Sequence, residues 1–284
     1  MNIGIVGLGL IGGSFGRAVI KNTNHNVYGY DVNEATMLKA ELLSAINYKL
    51  DEKNLCEIDL LVISVYPSQV KSVLEKFVGG LKNGAKVIDF CGIKKDIVFL
   101  MKEYSEKRKD VFFMGGHPMA GREFSGIDHS TNNLFNKASM LICPIFNDIF
   151  VESQIKNLFL EIGFEKVVVT DAKTHDKVIA YTSQMCHIIS SAFIKSPTAR
   201  AHFGYSAGSY KDLTRVARMS PKMWAELTLA NKENLILEID TLIDNINKYK
   251  KALQKGDEQE LYELFSEGNK IKLELDVGKG KCKE

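Results

Sequence analysis

The sequence lacks several features that would assign a protein to a particular class. Lysine and arginine total 37 against 35 acidic residues, and a net charge of +2 gives no reason to expect nucleic acid as a partner. No apolar run approaches the ~18 residues of a membrane span, which argues against a membrane protein. With 45% hydrophobic and 25% charged residues, the 284-residue chain has the composition of a globular protein long enough for two domains.

Cysteine is sparse and forms no pattern. The five cysteines are scattered and include no C-x-x-C pair, and they are Cys56, Cys91, Cys143, Cys186 and Cys282. Such a set predicts neither a disulfide framework nor a structural metal site. The first apolar strand begins at residue 2, which leaves no room for a signal peptide, so we expect a cytoplasmic protein.

The first twelve residues contain the clearest motif. An apolar strand leads into Gly7, Gly9 and Gly12, which have the G-x-G-x-x-G spacing of a dinucleotide-binding turn. The first glycine permits a tight turn, the second admits a pyrophosphate, and the third lets the next helix pack on the sheet. We predict that this loop binds the cofactor through Gly7, Leu8, Gly9, Leu10, Ile11 and Gly12. The alternative is a tight turn that binds no ligand.

Asp31 indicates which dinucleotide the loop binds. It ends the second apolar run, at the distance of about 20 residues where an acidic side chain accepts hydrogen bonds from the adenosine ribose. The residues that follow, Val32 to Glu34, include no arginine that could accept a 2′-phosphate. The prediction is therefore NAD rather than NADP.

Apolar runs alternate with helical stretches up to about residue 170, and this alternation is typical of an α/β protein with a Rossmann-type doubly wound parallel sheet. Such sheets bind ligands beyond the carboxyl ends of their strands. The loops after Ser64, Asp89 and Met114 are thus predicted to face the nicotinamide, and Ser64 to contact the cofactor.

Helical periodicity replaces this alternation in the second half of the chain. We predict an NAD-binding domain over residues 1–170 and an all-helical domain over residues 171–284. Apolar stripes on the helices predict a homodimer formed through this half. Alternatively, the stripes close the core of a monomer.

Three polar groups are candidates for the chemistry. His117 follows a predicted strand and could accept a hydroxyl proton, although an exposed histidine without a function fits the same position. His187 lies in an apolar helical stretch, where a buried structural histidine is the simpler interpretation. Asp212 and Arg215 are three residues apart and could pair to present a guanidinium to a substrate carboxylate, or could form a plain surface ion pair.

Together these segments resemble a known family. The starting glycine loop, HPMAGREFSG at 117–126, MCH ending at His187, and KDLTRVA followed by Trp224 are similar to the prephenate/arogenate dehydrogenases of tyrosine biosynthesis. The resemblance implies an NAD-binding domain joined to a dimerising helical domain, and an oxidative decarboxylation of prephenate or, alternatively, arogenate.

The resemblance also implies a role for each candidate residue. His117 would take the ring hydroxyl proton as the catalytic base, and His187 would position the substrate. Arg215 would bind a substrate carboxylate with Asp212 nearby, and Trp224 would serve in packing.

The sequence departs from the family pattern at three places, and one of them is Met185-Cys186-His187, where many members read L-P-H. Gly92 stands where many members have serine, so that Cys91 or a water would replace a hydroxyl contact, and Gln184 stands where some relatives have histidine. Two other functions remain open. One is a β-hydroxyacid dehydrogenase with Lys177 as its base, and the other is a catalytically silent NAD-binding sensor.

Overall fold

The computed structural model describes residues 1–281, with the side chains of residues 1–277, so Cys282 lies outside the described residues. The described chain contains eight strands in one sheet. In chain order they are β1 Asn2–Val6, β2 Asn26–Tyr30, β3 Tyr48–Lys49, β4 Leu60–Ile63, β5 Lys86–Asp89, β6 Phe112–Pro118, β7 Ser139–Pro144 and β8 Lys166–Val169.

The sheet has the order β3-β2-β1-β4-β5-β6-β7-β8, with β1 and β4 side by side at its centre. All neighbouring strands are parallel except β6 and β7, which are antiparallel. Strands β2 and β3 lie on one side of β1, and β4 lies on the other side. The crevice at such a switch in strand order is where doubly wound sheets bind their ligands. The predicted Rossmann-type sheet is confirmed, with one antiparallel pair added.

The described helices cover the two faces of the sheet and then form the second half of the chain. They are α1 Leu10–Asn22, α2 Glu34–Leu42, α3 Val70–Phe77, α4 Lys95–Lys107, α5 Ile149–Ile162, α6 Ala172–Ile179, α7 Met185–Phe193, α8 Gly208–Thr214, α9 Pro221–Ala230, α10 Lys232–Lys255 and α11 Glu258–Lys281. None of them is long and apolar enough to cross a membrane.

Short polar residues set several helix starts. Asn33, Asp148 and Asp171 each accept a hydrogen bond from a backbone N–H in the first turn of the helix that follows. Each therefore satisfies a donor that has no partner inside its own helix. Between α6 and α7 the helix widens into a π-helical turn at Ala180–Gln184.

Two apolar clusters bury the two faces of the sheet. Alternate residues of β4 divide between them: Leu60 and Val62 belong to one cluster, and Leu61 and Ile63 to the other. This division follows from the period of two along a strand. Because both faces are covered, the central strands are continuous apolar runs, which is why they could be located from the sequence.

One strand extends beyond the predicted boundary and changes the setting of His117. A loop was expected after Met114, but β6 continues through His117 to Pro118 and pairs with β7, with His117 opposite Leu141. The two glycines before His117 permit this extension, since a Cβ on Gly116 would lie 2.5 Å from the backbone oxygen of Asp89. His117 is therefore held by a strand ladder.

The described chain divides into two compact units, residues 1–232 and residues 233–284. The first contains the sheet together with helices α1 to α9. The second contains α11 and nearly all of α10, and within it Tyr249 of α10 packs against Phe265 of α11 with ring centroids 5.2 Å apart. The predicted all-helical second half is confirmed, and the predicted domain boundary at residue 170 stays a prediction.

Candidate active site

A cleft of about 1120 Å³ opens at the carboxyl ends of β1, β2 and β4 and extends to α7 and α9. This cleft is lined by most of the residues that were predicted from the sequence to have a function. They are Gly7, Gly9, Leu10, Ile11, Asp31, Ser64, His117, His187 and Arg215. The cleft thus brings together residues from both predicted halves of the chain.

The glycine loop lies at the start of α1. Gly7 has a φ of +90°, and a Cβ there would lie 2.3 Å from the backbone oxygen of Ser64. A Cβ on Gly12 would lie 2.0 Å from the backbone oxygen of Gly7, whereas one on Gly9 would meet nothing within 4 Å. The first and third glycines are therefore required by the fold, and the second leaves room in the cleft. Gly9 is also the N-cap of α1, where free N–H groups favour a phosphate.

Asp31 is held by the same loop. Its carboxylate accepts hydrogen bonds from the backbone N–H groups of Leu8 at 2.9 Å and Asn33 at 2.9 Å. Leu8, predicted to bind the cofactor, has a fully buried side chain, and its N–H donates to Asp31. Leu8 therefore orients Asp31, and Asp31 lines the cleft where an adenosine ribose would lie.

His117 lies deeper in the cleft, next to two residues that the sequence analysis missed. Its Nδ1 is 3.0 Å from Nε2 of His175, and Nδ1 of His175 is 2.7 Å from Oδ1 of Asp176. We call His117, His175 and Asp176 the His-His-Asp triad. His175 and Asp176 lie near the start of α6 and are both buried.

A buried ion pair lies beside the triad. The ammonium group of Lys94 pairs with the carboxylate of Asp89, and both side chains are fully buried. Asp89 also accepts hydrogen bonds from the backbone N–H groups of Cys91 and Gly116. Burial is the main reason that the pKa of His117 lies well below its usual value, and the nearby ammonium group of Lys94 lowers this pKa further. His117 is therefore neutral at physiological pH.

Gly92 lies against the outer side of His117. A Cβ on Gly92 would be 3.9 Å from Nε2 of His117 and 3.4 Å from Leu227. The Cys91 thiol, suggested as one replacement for the missing serine hydroxyl, contacts the backbone oxygen of Val65 at 3.5 Å, and its role beside His117 stays a prediction. Burial also raises the pKa of this thiol well above its usual value. Nε2 of His117 therefore faces a site without a neighbouring hydroxyl at position 92.

His187 and Trp224 form another wall of the cleft. Their rings stack with centroids 3.6 Å apart, and Nδ1 of His187 bonds to the backbone oxygen of Ser183 at 3.0 Å. Since a carbonyl only accepts, Nδ1 carries the proton and Nε2 is left as an acceptor. Partial burial lowers the pKa of His187. Trp224 packs, as predicted, and it fixes the plane of the His187 ring.

Cationic side chains line the mouth of the cleft. Arg122, Arg215 and Arg218 are exposed there, and the guanidinium of Arg218 lies 5.0 Å from the ring centre of Phe124. The hypothesis that Arg215 pairs with Asp212 is wrong, since its guanidinium bonds to Glu123 at 2.5 Å. Residues 212 and 215 fall on either side of the point where α8 gives way to a 3₁₀ turn.

Asp212 is exposed on α8. Within the described residues it neither lines the cleft nor forms an ion pair. Those residues also contain no group of three histidine, cysteine or acidic side chains arranged to hold a metal.

The residues missed from the sequence had weak local signals. His175 and Asp176 are adjacent titratable residues that precede an apolar helical stretch, and Lys94 is the first of two adjacent lysines after apolar Ile93. Each pattern also fits an exposed helix end. Glu123 lies within the HPMAGREFSG segment, but its contact with Arg215 joins positions 92 residues apart.

A glycine loop at the head of a parallel sheet, an acidic residue at the end of the second strand and a neutral, half-buried histidine define an NAD-dependent dehydrogenase. Two family models match the chain: "Prephenate dehydrogenase, nucleotide-binding domain" over residues 15–177, and "Prephenate dehydrogenase, dimerization domain" over residues 171–267. The chain belongs to the prephenate dehydrogenase family.

Individual relatives agree with this assignment. The chain is 30% identical to a prephenate dehydrogenase of Lactococcus lactis over 97% of its length and 78% of the relative's. It is 28% identical to a cyclohexadienyl dehydrogenase of Zymomonas mobilis, over 96% of both chains. The structure of prephenate dehydrogenase from Aquifex aeolicus, in complex with hydroxyphenyl propionate and NAD⁺, superposes with a TM-score of 0.84 at 28% identity. That match covers 97% of this chain and 98% of the other.

Two alanine substitutions in the glycine loop separate cofactor binding from folding. We expect Gly9→Ala to keep the thermal unfolding temperature while weakening NAD binding at least about tenfold, because the methyl group would occupy open space in front of α1. Gly12→Ala should lower the unfolding temperature itself, since its methyl group would collide with a backbone oxygen. The measurements are thermal unfolding and NAD titration by fluorescence. Equal losses of stability in the two variants would contradict this division.

Proposed function

We propose that the chain catalyses the NAD-dependent oxidative decarboxylation of prephenate to 4-hydroxyphenylpyruvate, a step of tyrosine biosynthesis. The observation that carries this proposal is His117, a half-buried neutral imidazole that lies in the same cleft as the glycine loop and the arginines at its mouth. The family and its relatives named prephenate dehydrogenase support the same substrate.

In this proposal His117 acts as the catalytic base. Its Nε2 faces the cleft beside Gly92 and takes the proton of the substrate's ring hydroxyl. Bound NAD supplies the hydride acceptor, held by Gly7, Gly9 and the start of α1, with Asp31 on the ribose and Ser64 near the nicotinamide. Loss of the ring carboxylate as carbon dioxide then makes the ring aromatic, which provides the driving force.

The side-chain carboxylate of the substrate is assigned to the mouth of the cleft. Arg215 offers a guanidinium to the side-chain carboxylate, and its bond to Glu123 limits the orientations that it samples. His187 is assigned to position the substrate through its free Nε2, since its Nδ1 is used by Ser183. Asp212, exposed outside the cleft, has at most an indirect effect on Arg215.

The second compact unit is the proposed site of homodimerisation. Many of its large apolar side chains are exposed on α10 and α11, among them Ile236, Leu237, Ile243, Ile246, Leu253, Tyr262 and Phe265. The dimerization-domain match extends over these residues. A second copy of the chain would cover such a surface. The scattered free cysteines favour a cytoplasmic location.

The direct test follows NADH formation with prephenate and with arogenate, each with NAD and with NADP. We expect turnover of prephenate with NAD, and little with NADP, because Asp31 would repel a 2′-phosphate. Preferred turnover of arogenate would overturn the substrate assignment and leave the reaction class intact. Binding of NAD without turnover of either substrate would favour a silent sensor.

His117→Asn tests the base. We expect kcat to fall by about 10²–10⁴-fold, with little change in KM, because the lost proton transfer occurs only in the transition state. The wild-type rate should persist as the pH falls below about 6.5, since a lowered pKa keeps the imidazole unprotonated in more acidic solution. The matched control is His202→Asn, at a histidine outside the cleft. A wild-type rate in His117→Asn would remove His117 from the mechanism.

Arg215→Gln tests the carboxylate contact. We expect KM for prephenate to rise about 10–100-fold, because a charge-assisted bond to a carboxylate contributes ~1.5–3 kcal/mol. Lys211→Gln removes the same charge from exposed α8, outside the cleft, and should leave KM nearly unchanged. Equal effects of the two substitutions would indicate a general charge effect and not a contact.

A further inference from the structure

The His-His-Asp triad contains more polar contacts than a lone base needs. Both bonds within it, at 3.0 Å and 2.7 Å, are short enough to be well formed, and His175 and Asp176 are nearly inaccessible to solvent. Burying two polar side chains is costly unless each contact is satisfied. The direction of each of these two hydrogen bonds depends on which ring nitrogens carry the protons.

The Asp176 end settles the first proton. Its Oδ1 accepts the backbone N–H of Lys94 at 2.7 Å and its Oδ2 accepts that of Lys95 at 2.8 Å, at the start of the 13-residue helix α4. N–H donors and the positive end of a helix favour a negative charge at this position. An ionised carboxylate only accepts hydrogen bonds. Nδ1 of His175 must therefore carry the proton in its bond to Asp176.

The second proton follows from the first. With its proton on Nδ1, neutral His175 presents a bare Nε2, which can only accept. The partner atom, Nδ1 of His117, is then the donor. His117 is left with an unprotonated Nε2, the atom that faces Gly92 and the cleft.

We propose that Asp176 and His175 are positioning residues that fix the tautomer of His117, so that its Nε2 is free to accept the substrate's proton. That last step rests on the proposed function, whereas the tautomer does not. In the reaction the O–H bond of the substrate breaks and an N–H bond forms at Nε2 of His117. His175 and Asp176 each keep the bonds that they have, and no proton passes along the triad.

The opposite arrangement would place more charge in the same buried region. A doubly protonated His175 would donate to both neighbours and force the His117 proton onto Nε2. Its positive charge would lose all hydration in this buried place, and attraction to the carboxylate of Asp176 repays that cost only in part. The carboxylate of Asp176 stabilises a positive charge here only once the substrate's proton has arrived on His117.

The backbone of Asp176 is fixed as well. Its carbonyl oxygen accepts a hydrogen bond from Nδ2 of Asn231 at 2.9 Å, and the same nitrogen donates to Oε1 of Gln184 at 2.6 Å. Gln184 in turn donates to the backbone oxygen of Leu227 at 3.2 Å. These bonds tie the start of α6 to α9, whose Leu227 lies beside Gly92.

The experiment reads the tautomer directly, by nitrogen NMR of histidine side chains in the ¹⁵N-labelled protein. In the wild type we expect His117 to be protonated at Nδ1 and unprotonated at Nε2 at neutral pH, with its signals assigned from the spectrum of His117→Asn. A wild-type proton on Nε2 of His117 would overturn the proposal without any variant.

Two variants of His175 then separate positioning from packing. His175→Leu removes the acceptor, so we expect the His117 proton to move to Nε2 and kcat to fall at least about 10²-fold, with the affinity for NAD unchanged. His175→Gln supplies a carbonyl acceptor again, and should restore the Nδ1–H tautomer and most of kcat. A purely structural role predicts the reverse order, because leucine suits a buried position better than glutamine.

Failure of this inference and failure of the proposed function give different results. The tautomer is measured without substrate, so it can be as expected in a protein that does not turn over prephenate. In that case the positioning of His117 stands and its substrate is wrong. If the wild type turns over prephenate and the tautomer of His117 is unchanged in His175→Leu, the proposed function stands and the positioning role of His175 is wrong.

Discussion

The carboxylate of Asp176 is the contact on which the geometry of the cleft depends. It satisfies the first backbone donors of α4 and the imidazole of His175 at once, so one side chain joins a sheet-covering helix to the first helix of the second half. Removing it would expose unpaired N–H groups in a buried place, which costs more than one ordinary hydrogen bond contributes. The position of the His117 imidazole therefore depends on the place where α4 and α6 meet.

The glycines divide between folding and function. Gly7 and Gly12 are required because side chains there would collide with backbone oxygens, while Gly9 has empty space before it. Gly115 and Gly116 also lack room for a side chain. They let β6 approach Asp89 and the aliphatic part of Lys94 closely enough to bury that ion pair. The backbone thus approaches its neighbours closely in two places, once at the glycine loop and once next to His117.

The features that could be predicted from the sequence are those whose determining interactions are local. Apolar strands, the turn at Gly7 and the acidic residue at position 31 are each set by neighbours within one βαβ unit, and the structure has all of them. Contacts that only the tertiary fold creates could not be predicted from the sequence. His117 and His175 are 58 residues apart and Arg215 and Glu123 are 92 apart, so no short pattern indicates either pair. The wrong partner predicted for Arg215 has the same origin. Asp212 was chosen because it lies at helical spacing, whereas Glu123 is distant in the sequence.

The cleft separates two electrostatic tasks that would conflict if they were close together. At the mouth, exposed arginines remain available to anions, and the bond between Arg215 and Glu123 is accessible to solvent and weak enough to exchange for a ligand. In the interior, the charge of Lys94 is matched by that of Asp89, and burial lowers the pKa of His117, so its imidazole is neutral. A cation placed next to His117 without such a partner would lower its basicity further, and an unpaired carboxylate would raise its pKa towards protonation. The cleft therefore presents cations to anions at its mouth, while the imidazole of His117 inside it stays unprotonated.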